Sequence, residues 1–156
     1  MVFKSDQEST RVLLKLSLMA LYILLAYNLI MMGMGYWLIQ SNQVSANAPG
    51  KLVRNIIFLV AIAEMVVIQF VKRAMLARVN RKSPPEPYPT PQAVSKELQN
   101  ITLVIAAMCS AISTYGLVLL TLGEKFEVLL FFVALSLVAY QLFRLRPKDF
   151  KVSPEP

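Results

Sequence analysis

An all-α membrane bundle of four transmembrane helices is the fold class this sequence predicts, and three observations predict it. Of 156 residues, 56% are hydrophobic and the mean hydropathy is +0.56, more apolar than a single soluble core can absorb. Four segments approach the ~20 residues that cross a ~30 Å hydrocarbon layer as a helix. The strongest helix breakers fall between those segments.

The first span runs from Val12 to Ile39, with Lys4, Arg11 and Lys15 before its apolar body and Tyr36-Trp37 near its far end, where aromatic residues anchor at an interface. Ala46-Asn47-Ala48 has the form of a signal-peptidase site, but the apolar run is too long for a typical signal segment, so the helix is expected to be retained. Ala48-Pro49-Gly50 separates it from the second span, Leu52 to Val71. A Pro-rich stretch, RVNRKSPPEPYPTPQ, leads to the third span, Leu98 to Leu122, which Gly123 terminates. The fourth, Val128 to Phe143, is short, and Phe126 with Phe131-Phe132 extends it at the interface. The resulting division is a cytoplasmic N-terminus over 1–11 and a membrane domain over 12–143. A cytoplasmic loop at about 74–97 interrupts that domain, and a basic tail follows over 144–156.

Sixteen basic residues against nine acidic ones give a net charge of +7. Thirteen of the sixteen flank the N-terminus, the central loop or the C-terminus, and only Lys51, Arg54 and Lys125 fall on the other side. By the positive-inside rule both termini and the central loop are cytoplasmic, in a multi-pass protein of the inner membrane. The basic excess is then a topology signal rather than a nucleic-acid footprint. The central loop reads as a solvated linker or as a docking segment for a cytosolic partner.

With no histidine and one cysteine, the chain cannot supply bis-His haem ligation, a zinc site or a disulfide by itself, and no metal or cofactor is implied. Cys109 lies in an apolar run and reads as a small hydrophobe. No nucleophile–base pair or phosphate-cradling Gly loop points to an enzyme.

Tyr27 placed over Tyr115 also aligns Leu29 with Leu117, Ile30 with Val118 and Gly35 with Gly123; a second register aligns Gln69 with Gln141 and Lys72 with Arg144. This weak echo raises the expectation of two tandem hairpins running in parallel.

Glu64 is the one ionisable group deep in a span. It lies about 15 Å of helical rise from Arg54 and about 12 Å from Lys72, close to the midplane. An ionised carboxylate there costs several kcal/mol, so Glu64 should face protein or water, and two roles compete: hydrogen-bond glue between helices, or a proton- or ion-binding group. On the third span Thr102, Ala106, Ser110 and Thr114 recur every four residues, with Ala107, Ala111 and Ser113 beside or near them. Such a small and polar stripe lets helices pack closely. Ser110 matches Glu64 in depth, so the two are expected to meet. Asn28, Gln69, Ser136 and Gln141 read as interhelical hydrogen-bonding groups, and Leu119 reads as more peripheral than Ser110. The candidate intramembrane polar site is therefore Glu64, Ser110, Thr114, Gln69 and Gln141. The Met31-Met32-Gly33-Met34-Gly35 cluster reads as adaptable packing.

SAISTYGLVLL, Ser110 to Leu120, resembles the ion-binding outer helix of F- and V-type ATP synthase c subunits, where a carboxylate precedes a Tyr-Gly-Leu-Val run. The tail YGLVLLTLG followed by FFVALSLVAYQLFRLRP is similar to that of c-like four-helix bacterial membrane proteins of unknown function. The resemblance implies helix-hairpin packing and membrane location. It does not carry over rotor chemistry: Ser110 stands where the carboxylate is expected, and Ile56 to Val71 holds no glycine. These readings converge on a non-catalytic accessory or interaction subunit of a membrane complex, its partner a membrane protein or a second copy of the chain. The alternative is a proton- or ion-handling membrane protein centred on Glu64.

Overall fold

The computed structural model describes residues 6–44, 50–81 and 91–146. Its four helices are α1 (Asp6–Gln40), α2 (Lys51–Arg81), α3 (Pro91–Thr121) and α4 (Phe126–Phe143), and the described residues contain no strand. All four are long and apolar enough to cross a membrane.

Three of the helices outrun their apolar spans. α2 continues past Lys72 to Arg81, and α3 begins at Pro91, a residue whose fixed φ and missing N–H suit the first helical position. Much of the stretch expected as a loop at 74–97 is therefore helical, because no breaker occurs between Lys51 and Arg81. The Pro-rich centre at 82–90, the Ala46–Pro49 segment and the tail from Pro147 lie outside the described residues.

The two helices that run away from the central loop end alike. At α1, Asn42 adopts φ 53°, while its N–H bonds to the Ile39 carbonyl and that of Gln43 bonds to Leu38. At α3, Gly123 adopts φ 100°, its N–H bonding to Leu120 and that of Glu124 to Leu119. Both are Schellman motifs, which satisfy the last helical carbonyls by a single left-handed residue, a conformation that glycine adopts without steric cost. Gly123 thus turns α3 directly into α4.

Antiparallel α3 and α4 form the tightest pair. A Cβ on Gly116 would lie 2.8 Å from Phe132 Cβ and 3.0 Å from Leu129 Cα, so the helices approach at backbone distance there. Gly35 of α1 is also closely packed, but against side-chain ends: a Cβ on it would press on Leu129 and Leu120 and crowd the Phe126 ring. α1 buries the stripe Leu13, Ser17, Ala20, Leu24, Asn28 and Gly35 at the spacing of one helical face. α2 buries Ala61, Ile68, Lys72 and Leu76, and Phe58 packs on Phe132 and Phe131 at ring-centroid distances of 4.9 and 5.7 Å.

The helices alternate in direction. Ser17 of α1 meets Tyr140 of α4, and Lys72 of α2 meets the Arg144 carbonyl at one end of the bundle. Arg54 of α2 pairs with Glu124 of the α3–α4 turn at the other, 3.6 Å apart. α3 is the hub, touching all three others, whereas α1 and α2 meet at no more than their fringe. A pair of equivalent hairpins would pack α1 on α2 as α3 packs on α4; instead α1 and α2 take different flanks of the α3–α4 pair.

The outer surface is apolar. Leu52 is 74% exposed, Phe70 and Leu29 66% each. In water a contiguous surface of this kind drives aggregation, and in a bilayer it is the lipid-facing side.

Candidate functional site

Because α1 and α2 flank α3 without closing over it, one face of α3 stays uncovered. Asn100, Val104, Ala107 and Val118 are exposed on it, and Ser110, Ala111 and Thr114 are half-buried along it. The stripe of small residues is thereby divided between two faces. Thr102, Ala106 and Ser113 are buried in the core, while Ala107, Ser110 and Ala111 lie along a trough open to the surroundings.

Polar side chains gather at one level of this trough. On the α1 wall the Tyr27 hydroxyl lies 2.8 Å from Thr114 Oγ1. On the α2 wall Glu64 faces Tyr115 of α3, and the two side chains interact. Consecutive residues of α3 thus bridge to different neighbours, because a 100° step turns successive side chains apart. Asn28 follows Tyr27 in the same layer, only 2% exposed, and neither its Oδ1 nor its Nδ2 has a hydrogen-bond partner. Glu64 Oε2 and the fully buried Ser136 Oγ are likewise unpartnered. Buried polar atoms without partners cost free energy, so their survival in a core is informative.

The five residues expected to form the site do not converge. Glu64 and Thr114 belong to the layer, each through a tyrosine. Ser110 does not reach Glu64: its Oγ donates to the Ala107 carbonyl at 2.7 Å, the local back-bond that serine makes inside a helix. Tyr115, about 7.5 Å farther along α3 and with a longer side chain, faces Glu64 instead. Gln69 is half-buried on α2, five residues from Glu64 towards the Lys72 end. Gln141 is exposed at the end of α4, where its backbone carbonyl accepts from Arg146 Nη2 at 3.1 Å. Leu119 is fully buried rather than peripheral, since it projects from α3 to the side of the trough and into the packed bundle.

Two contacts had no clear signal in the sequence. Tyr140, 0% exposed, donates its hydroxyl to the Ser17 carbonyl at 2.8 Å and ties α4 to α1. Lys72, only 7% exposed in a helix otherwise read as ending there, reaches the Arg144 carbonyl at 3.3 Å. Cys109 is buried in the core and free. Among the described residues no three His, Cys, Asp or Glu side chains come together.

Compared with protein-family models, with curated proteins and with solved structures, the chain matches none.

Proposed function

We propose that this chain is a non-catalytic, multi-pass inner-membrane protein with both termini cytoplasmic, serving as an accessory or interaction subunit of a membrane complex. The observation that carries this reading is the trough on α3. Ala107 is exposed and Ala111 half-exposed between two helices that do not close over them, and small residues on a helix surface allow another helix backbone to approach closely in lipid. The resemblance of Ser110 to Leu120 to c-subunit helices, which assemble side by side, points the same way. In this reading the two tandem hairpins are a matter of descent, with the first hairpin splayed across the second.

A photo-crosslinking residue placed at Ala107 or Ala111 in cells tests it. The expected result is a protein adduct, either to another subunit or to a second copy, at these positions and not at Tyr22, which is 70% exposed on the outer side of α1. Lipid-only adducts at all three would overturn the interaction reading.

A second reading, proton or ion handling by Glu64, draws on one specific observation: a carboxyl oxygen in the middle of a span is buried without a partner. An intramembrane carboxylate is a functional candidate by default.

A further inference from the structure

We propose that the cleft at the C-terminal end of α4 binds the phosphate of an anionic phospholipid, with an acyl chain laid along the last two turns of the helix. This inference rests on the membrane reading above.

The cleft is shallow and open to the surroundings, with a volume of about 380 Å³, and is lined by Leu137, Val138, Gln141, Leu142, Arg144 and Arg146. Its two ends differ in chemistry. Leu137, Val138 and Leu142 give it an apolar wall, with Val138 and Leu142 53% and 55% exposed. The two arginines form its polar end.

The arginines are placed there by the way α4 stops. Arg144 caps the helix with ψ 150°, its N–H still bonded to the Tyr140 carbonyl at 2.8 Å. Leu145 then turns into the core, 6% exposed. Burial of Leu145 sends its neighbours outward, and residues two apart in extended chain share a face. Arg146 Nη2 donates to the Gln141 carbonyl, which covers the negative end of the helix dipole that would otherwise repel an anion. Behind the cleft, Lys72 holds the Arg144 carbonyl.

Charge at this end of the bundle is one-sided. Of the side chains described there, Arg11, Lys15, Lys72, Arg73, Arg78, Lys96, Arg144 and Arg146 are basic, and Glu97 alone is acidic. Guanidinium groups match phosphate oxygens in a fork geometry, and basic pockets at a membrane face attract anionic headgroups. The apolar wall selects a lipid over free phosphate. The absence of a headgroup cation in phosphatidylglycerol favours it over phosphatidylcholine, whose choline would face the same arginines.

The test uses the full chain in a mild non-ionic detergent, titrated with phosphatidylglycerol or phosphatidylcholine and read by native mass spectrometry. Wild type should retain phosphatidylglycerol in preference. Each arginine near an anionic headgroup is worth about fivefold, so Arg144→Gln with Arg146→Gln should weaken retention by roughly thirtyfold. Arg73→Gln with Arg78→Gln removes the same charge at the same end but outside the cleft, and should change it less than about fivefold. Val138→Trp, which blocks the apolar wall and leaves both arginines, should also lower retention. Equal losses from the two arginine pairs would overturn the site, as would undiminished binding in Val138→Trp. Displacement of the lipid by an equal concentration of inorganic phosphate would reassign the cleft to the free anion. Thermal unfolding in lipid-free detergent checks that each variant is folded, and Arg144→Lys with Arg146→Lys, which keeps charge but loses the fork, should fall between wild type and the glutamine pair. Alkaline carbonate extraction separates the two levels of failure. Release of the chain would sink the membrane reading, whereas retention without arginine-dependent lipid binding would sink the site alone.

Discussion

The Tyr27 hydroxyl and Thr114 Oγ1 lie 2.8 Å apart, joining α1 to α3 across 87 residues of sequence. The bond fixes the depth register of two parallel helices that hold little else polar in common. Interhelical hydrogen bonds in membranes are worth about 0.6 kcal/mol on average and up to about 1.7. A double-mutant cycle of Tyr27→Phe and Thr114→Val, read by unfolding in mixed micelles, should therefore give a coupling energy of about 0.5–1.5 kcal/mol. Strict additivity would mean that the two hydroxyls do not meet in the bilayer.

Leu119→Ala should destabilise more than Ser110→Leu, the reverse of what the small-residue stripe predicts on its own. Leu119 is fully buried, and truncating such a side chain costs about 2–5 kcal/mol. Ser110 borders the open trough, where a larger side chain finds room. Gly116→Ala belongs with Leu119→Ala, because its new Cβ meets the backbone of α4 at Leu129 and not a flexible chain end; overpacking of this kind costs about 1–3 kcal/mol. Detergent-resistant folded protein measures all three.

The difference between those two rankings shows what the sequence could carry. Span number, approximate limits and alternation are legible because hydropathy, breakers and charge each mark them independently. Which face of α3 is covered is not legible, since a helix apolar nearly all round has no amphipathic stripe to orient it. Small residues at Ala106 and Ala107 point to different faces, and nothing local distinguishes them. Glu64 stood out as the lone deep carboxyl, but its partner depended on side-chain reach. Equal depth favours Ser110, whereas the longer Tyr115 side chain is the one that faces Glu64. The stops at Asn42 and Gly123 differ in the same way: glycine announces the left-handed turn, and asparagine makes an equivalent one with little warning.

Topology follows from the two ends of the bundle. Lys72 and Arg144 define one end, Arg54 and Glu124 the other, and the proposed orientation, which follows the positive-inside rule, has the first facing the cytoplasm. Single cysteines at Ser83 and at Gln43, in a Cys109→Ser background, should respond oppositely to an impermeant thiol reagent applied to intact cells. Position 43 is expected to label and position 83 to stay protected until the membrane is opened. Labelling at 83 from outside would invert the orientation.

Glu64→Gln separates the two functional readings. Glutamine keeps the length of the side chain and an oxygen that can accept from the Tyr115 hydroxyl, while removing the proton that a carboxylic acid can exchange. In an interaction subunit the Glu64–Tyr115 contact serves to hold α2 on α3, so folded yield and a complementation phenotype should both survive the change. Tyr115→Phe should then do more harm to folding than Glu64→Gln, because it removes the hydroxyl that faces the half-buried carboxyl. An ion-handling protein behaves differently. Its Glu64→Gln variant folds normally and loses function, and its wild-type carboxyl reacts with a hydrophobic carbodiimide in a manner that fades as pH rises, since the reagent attacks the protonated acid. Measuring phenotype beside folded yield decides the matter: a folded, inactive Glu64→Gln protein would overturn the accessory reading, and a folded, active one would remove Glu64 from ion chemistry.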